Sequence, residues 1–231
     1  MITHESSLEN YTEQLDYVLN NYRSHGLKAD QFDNVILGGL GGSGIGAAIA
    51  RSWLFNLASL PISAINDYDL PAYVNEKSLV VLNSYSGNTE ETLSMYQQAR
   101  NAGATLICMA SGGQLAEQCE RDNVFCLSLP TGYQPRMTIG YGLSFLLLIL
   151  GEIFEIDHRS ALEDIRADFP EKKDRQRAEK LRKDLSEELE ALKQADPSFY
   201  AYLQQSDKGL LKFDSEDEDG LDAAADSDDS D

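Results

Sequence analysis

Five short apolar runs dominate the first 130 residues: Asn34-Val-Ile-Leu37, Pro61-Ile-Ser-Ala-Ile-Asn66, Leu79-Val-Val-Leu82, Ala104-Thr-Leu-Ile-Cys-Met-Ala110 and Val124-Phe-Cys-Leu-Ser-Leu129. None alternates apolar with polar residues, so each is a strand that must be covered on both faces. The segments between them read as helices over Ala47–Phe55, Thr89–Asn101 and Gln114–Arg121. Strands alternating with helices indicate parallel crossovers. The pattern predicts an α/β protein: a three-layer, doubly wound, five-stranded parallel sheet in flavodoxin-like order. An amphipathic helix carrying Leu8, Tyr11, Leu15, Val18 and Tyr22 precedes the sheet and ends near Gly26. A second, running from Thr138 to Phe154, is apolar almost all round. Such a helix must be buried, either on this sheet or against another subunit.

The character of the chain changes near Ser160. Between Glu171 and Gln194 it is dense in Glu, Lys, Arg and Leu, with Leu181, Leu185, Leu189 and Leu192 on a narrow stripe. This reads as a solvated helix or short coiled-coil segment that Asp196-Pro197 ends. Three parts are therefore expected: an α/β domain over 1–157, a charged helical segment over 158–206 and a disordered acidic tail over 207–231. The net charge is −20, and ten acidic residues with no basic one lie between Asp214 and Asp231. Acidity of this kind argues against direct contact with nucleic acid. Cys108, Cys119 and Cys126 show no Cys-x-x-Cys spacing, and Cys108 and Cys126 sit inside apolar runs as small buried hydrophobes. A reduced, cytoplasmic protein is expected. No secretory signal opens the sequence, and Leu143–Leu150, its longest apolar run, is too short to span a bilayer.

Two strand-to-helix junctions carry the chemistry. The first strand runs into the turn Gly38-Gly-Leu-Gly-Gly-Ser-Gly-Ile-Gly46, and the third into Ser84-Tyr-Ser-Gly-Asn-Thr-Glu-Glu-Thr92. Gly39, Gly41 and Gly44 match a dinucleotide fingerprint, and Asp67 stands where a ribose-binding acid belongs. The same glycines also serve a tight turn with no ligand. The hydroxyl loop adds what neither reading needs. Ser84, Ser86 and Thr89, with Gly87, are spaced to wrap one phosphate monoester, whose oxygens accept bonds from hydroxyls and from amides at a helix start. Helix capping by Asn88 or Thr89 accounts for one hydroxyl but not for three.

Gly41-Gly-Ser-Gly-Ile45, the hydroxyl loop and Pro135-Arg136 together resemble the sugar isomerase (SIS) domain, and more narrowly the N-terminal half of the bifunctional phosphoglucose/phosphomannose isomerases, over about residues 5–156. The resemblance implies a flavodoxin-like SIS fold in which Gly42, Ser43, Ser84, Ser86, Gly87 and Thr89 hold a hexose 6-phosphate. It also implies that Arg136 is catalytic, stabilising negative charge on an enediolate during aldose–ketose isomerisation. No cofactor or metal is implied, and a homo-oligomer is expected. The full enzymes carry a second SIS domain that supplies a glutamate, a histidine and a lysine, and nothing after Asp157 resembles it. The histidines His4, His25 and His158 lie in no motif, and His158 reads as an exposed helix cap.

The stretch from Leu189 to Phe213, with the acidic run after it, resembles the N-terminal region of the nucleolar complex protein 2 family. That likeness implies a role in ribosome assembly, a nuclear or nucleolar location and a chain that is either a fusion or a joined gene model, since the two parts belong to unrelated proteins. Phosphosugar binding by an SIS domain is the leading expectation, with isomerisation only if a catalytic half is supplied. The alternatives are a ribosome-assembly interaction protein and a dinucleotide-binding protein.

Overall fold

A computed structural model describes residues 11–168, together with Lys180, Lys183 and Lys193. The chain divides into two compact units, residues 1–169 and 170–231. Of the charged segment expected over 158–206, residues 158–168 and three lysines are described; the rest of it and the acidic tail lie outside the described residues.

In chain order the first unit contains α1 (Tyr11–Asn21), β1 (Asn34–Gly39), α2 (Gly42–Trp53), β2 (Ile62–Ile65), β3 (Ser78–Asn83), α3 (Glu90–Asn101), β4 (Thr105–Ala110), α4 (Gly113–Asp122), β5 (Phe125–Ser128), α5 (Ile139–Phe154) and α6 (His158–Asp168). The five strands form one sheet in the order β2-β1-β3-β4-β5. All neighbours are parallel. This is the doubly wound architecture that the apolar runs require.

Pleating explains why the strands show no polar alternation. Val35, Leu37, Leu79, Val81, Ile107, Met109 and Leu127 turn to the face covered by α1, α2, α5 and α6. Ile36, Val80, Leu82, Leu106, Cys108 and Ala110 turn to the opposite face, where Met95, Tyr96 and Ala99 of α3 and Leu115 and Cys119 of α4 cover them. Both faces are dry, so both sets of positions must be apolar. Every residue of β3 is buried.

Helix α5 settles its own question. It lies on the sheet within this chain, and Phe145, Ile149 and Leu150 have no exposed surface. The burial expected of it requires no second subunit. Helix α2 approaches it closely enough that a Cβ on Gly46 would stand 3.8–3.9 Å from Leu143.

Helix α2 also begins at Gly42 rather than near Ala47, because glycines that disfavour a helix are here set against neighbouring backbone. A Cβ at Gly44 would come within 2.7 Å of the Gly39 carbonyl oxygen. Intrinsic propensity costs about 1 kcal/mol per glycine, and close helix–strand contact outweighs it.

His158 is not an exposed cap. It is 6% exposed, its Nδ1 donates to the Leu147 carbonyl at 2.9 Å, and its Nε2 accepts from Trp53 Nε1 at 3.3 Å. The histidine thus fastens α6 to α5 and α2.

Glu152, near the end of α5, ties down the connection from α1 to β1. Its carboxylate accepts from Tyr22 Oη and Ser24 Oγ, each at 2.6 Å, and from the Gly26 amide at 2.7 Å. His25 Nε2 stands 3.6 Å away. Burial alone pushes this carboxyl up, but the bonds from Ser24, Tyr22 and Gly26 outweigh it and leave it below the ordinary carboxylate range. A group depressed on folding contributes stability above its unfolded value, and that stability is lost as the pH falls through the folded value. Denaturant unfolding of Glu152→Gln at pH 7 is expected to show a loss of roughly 1–3 kcal/mol. The gap between variant and native protein should narrow as the pH falls below about 4.5.

Candidate functional site

The carboxyl ends of β1 and β3 lie side by side, with Gly39 paired to Asn83 at the last rung. From there the chain leaves in opposite directions: α2 packs on one face of the sheet and α3 on the other. A crevice opens where neighbouring strands send their helices to opposite faces, and it faces the N-termini of those helices. The glycine turn and the hydroxyl loop border this crevice.

Ser84 is 2% exposed, and its Oγ pairs with Thr89 Oγ1 at 2.9 Å. The Gly87 amide also donates to Ser84 Oγ, at 3.2 Å. Thr89 occupies the N-cap position of α3, yet its hydroxyl makes no bond to the helix end. It turns to Ser84 instead, so capping does not account for the threonine. Asn88 is not the cap either. Its Oδ1 accepts from the Gln114 amide at 3.0 Å and its Nδ2 donates to the Ser86 carbonyl at 3.3 Å, which stitches the loop to α4. Ser86 is exposed, and its Oγ accepts from the Asn88 amide at 3.2 Å.

Gly87 is required twice. Its φ of +67° is a left-handed conformation, and a Cβ there would overlap the Gly112 carbonyl. The loop following β4 therefore sets the curvature of the loop following β3.

The Pro135–Met137 turn closes the third side. A Cβ on Gly42 would meet the Pro135 carbonyl at 3.1 Å and the Arg136 Cα at 3.5 Å, so Arg136 stands against the start of α2. Ser43, at the first turn of α2, packs beside Gly39: its Cβ and the Asn83 carbonyl oxygen lie 3.0 and 2.9 Å from the place a Gly39 side chain would take. The structure thus brings Gly42, Ser43 and Arg136 together on the α2 side. On the α3 side it groups Ser84, Ser86, Gly87 and Thr89. The two groups meet across Gly39 and Asn83.

Three further residues organise this edge. The Tyr85 hydroxyl accepts from the Tyr133 amide at 2.9 Å, linking the hydroxyl loop to the segment that leads to Arg136. Ser111 Oγ donates to the Tyr85 carbonyl at 2.6 Å. Gln14 of α1, 2% exposed, donates from Nε2 to the Met137 carbonyl at 2.9 Å. Each acts across a long sequence separation, so no local pattern announces it. Tyr141 donates to Tyr133 Oη at 3.1 Å. Burial, then that bond, pushes its phenol well above the usual range and keeps it a proton donor.

His25 and His158 serve the scaffold, and Glu90 and Glu91 occupy the first turn of α3, where acids complement the helix dipole. Asp67, the candidate ribose acid, accepts from the Tyr68 amide at 2.7 Å in the turn after β2. Among the described residues, no group of three or more His, Cys, Asp and Glu side chains is arranged to hold a metal ion. No helix among them is long and apolar enough to cross a membrane.

Comparison with known proteins agrees with the geometry. The SIS domain family model matches residues 30–148, which takes in both loops and Arg136. The chain is 42% identical over 156 residues to a bifunctional phosphoglucose/phosphomannose isomerase of Caldicellulosiruptor bescii, covering 65% of this chain and 46% of that one. It is 37% identical over 115 residues to a D-glucosamine-6-phosphate 4-epimerase of Sulfolobus acidocaldarius, covering 49% and 36%. The chain thus spans less than half the length of these curated relatives. In fold it is similar to the C-terminal domain of glucosamine-fructose-6-phosphate aminotransferase from Francisella tularensis, with a TM-score of 0.57, 15% identity and coverage of 81% of this chain and 59% of that one. A crevice flanked by a glycine turn and a hydroxyl loop at the β1–β3 junction, with the family model running through all of it, places this chain in the SIS domain family.

Proposed function

We propose that this domain binds a hexose 6-phosphate, with the phosphate seated on the hydroxyl loop at the N-terminus of α3. The observation that carries this reading is the Ser84–Thr89 hydroxyl pair, turned away from capping and set beside the left-handed Gly87. Hydroxyls and helix-start amides bind a dianion by donating hydrogen bonds. Ser43 and Gly42 face the same ligand from α2, and Arg136 provides a cation at the sugar end. The names of the two similar enzymes share a hexose phosphate, although one isomerises and the other epimerises.

Aldose–ketose isomerisation needs a base to move a proton between C1 and C2 and an acid–base group to open the ring. His25 and His158 are held by backbone and indole partners. Isomerisation of glucose 6-phosphate or mannose 6-phosphate to fructose 6-phosphate is therefore assigned to this domain only together with a second, catalytic half. Arg136 then stabilises the enediolate. A phosphosugar ligand implies a cytoplasmic location. The dinucleotide reading is set aside, since the matched family runs through the glycine turn that suggested it. The ribosome-assembly reading rests on residues outside those described.

Association of two copies is favoured by one specific surface. Ile45, Ile49 and Trp53 form a stripe on the outer face of α2, exposed by 55%, 43% and 62%, and Phe55 continues it at 81%. Apolar side chains grouped in this way mark a contact surface. A second copy is the proposed occupant, because an apolar stripe on one helix face can pair with the same stripe of another copy across a twofold axis. Sedimentation is expected to show a dimer that Ile49→Glu with Phe55→Glu converts to monomer; a native monomer at every concentration refutes it.

Ligand binding is tested by thermal unfolding with fructose 6-phosphate or 6-phosphogluconate. Ligand at about a hundred times its Kd stabilises by roughly 2.7 kcal/mol, which raises the Tm by several degrees. Ser84→Ala with Ser86→Ala should abolish the shift. No stabilisation of the native protein by any sugar phosphate ends the proposal. In a coupled isomerase assay the chain by itself is expected to be inactive.

A further inference from the structure

Asn83 is the last residue of β3, immediately before the hydroxyl loop, and it is 8% exposed. Its pleat position matches that of Leu79 and Val81, so its side chain turns to the α2 and α5 face rather than toward α3. There the carboxamide lies against the first turn of α5: a Cβ on Gly142 would stand 2.5 Å from Asn83 Nδ2. A side chain at 142 would have to displace it. On its other side, Gly39 and Ser43 bring the start of α2 to the same rung of the sheet. Asn83 thus lies between the N-termini of α2 and α5, with its backbone carbonyl beside Gly39 and Ser43 and its amide against Gly142.

This buried amide is incompletely satisfied: its Oδ1 is shielded from solvent and has no hydrogen-bond partner. Buried polar atoms are nearly always bonded, and an orphan calls for an explanation. The four preceding residues of β3 are Leu79, Val80, Val81 and Leu82. A branched apolar residue at 83 would continue that pattern without an orphaned carbonyl. Among the described residues the other orphaned side-chain atoms lie elsewhere: Asn34 Oδ1 at the opposite end of β1, Thr92 Oγ1 within α3, and Gln14 Oε1, whose amide nitrogen is already used to hold Met137. Asn83 alone of these ends a strand at the crevice.

We infer that Asn83 is a sugar-binding residue, its carboxamide taking a hydroxyl of the hexose whose phosphate occupies the hydroxyl loop. A carboxamide accepts and donates side by side, as a sugar hydroxyl does, so the two groups satisfy each other. A pocket of this class fixes its ligand through a few placed polar groups. Ser84, Ser86 and Thr89 then read the phosphate, and Asn83 reads the carbon chain attached to it. The inference rests on the phosphosugar reading above, and the experiment separates the two.

The full chain and its Asn83→Ala and Asn83→Val variants are titrated calorimetrically with fructose 6-phosphate, 6-phosphogluconate and inorganic phosphate. Unfolding without ligand is recorded for each, and Asn83→Val serves if the smaller residue leaves a cavity that impairs folding. The expected result is a loss of at least tenfold in affinity for the sugar phosphates. Affinity for inorganic phosphate should stay within about twofold, and ligand-free stability should be undiminished in Asn83→Val. Sugar phosphates bound equally well by native and variant proteins overturn the role of Asn83 and leave the phosphate site standing. An equal loss for all three ligands also overturns it, since Asn83 would then only brace the loop. A native chain that binds no sugar phosphate removes the parent reading and this inference together.

Discussion

The crevice depends on one topological constraint: β1 and β3 are neighbours in the sheet, yet the helices that follow them pack on opposite faces. Each crossover must be right-handed, so strands added on either side of β1 send their helices to different layers. The two chain exits diverge, and helix N-termini are left facing the space between them. Apart from Arg136, the residues assigned to ligand binding stand at those exits. A sheet wound in one direction only would have placed the same loops in a row with no gap.

Close backbone approach makes the edge rigid. The starts of α2, of the hydroxyl loop and of α5 are each held by a glycine against a carbonyl or an amide: Gly44 against Gly39, Gly87 against Gly112 and Gly142 against Asn83. Helical glycines weaken local structure, and tertiary contacts offset that cost because helices cover both faces of the sheet. The loops are also cross-tied by Tyr85, Asn88 and Ser111, so the hydroxyls are placed before any ligand arrives. Such preorganisation reduces the ordering cost of binding.

The electrostatics are restrained for an anion site. The chain carries a net charge of −20, with ten acidic residues lying from Asp214 to Asp231. The hydroxyl loop offers neutral donors and a helix dipole, and Arg136 stands against α2 rather than inside that loop. This division suits a ligand with a compact phosphate at one end and a chain of hydroxyls at the other.

Much of this was legible beforehand. Unbroken apolar runs reveal a sheet buried on both faces, and three hydroxyls with a glycine at a strand-to-helix junction mark the loop proposed to take an anion, because both signals are local. Boundaries at glycines were not legible: α2 starts five residues before the predicted position, since propensity ignores the neighbours that glycine admits. Nor was the fate of individual side chains. His158 reads as a cap but is buried against Trp53, and Thr89 reads as a cap but bonds to Ser84. The apolar periodicity of α5 required burial but could not name what covers it. Composition and periodicity by themselves determined the fold class, the layer order and the chemical character of the two loops, since these depend on residues close together in the chain. Tertiary structure alone decided which distant groups meet at the carboxyl edge, from Gln14 to Met137 and from Asn83 to Gly142, because only chain packing specifies contacts between residues so far apart in sequence.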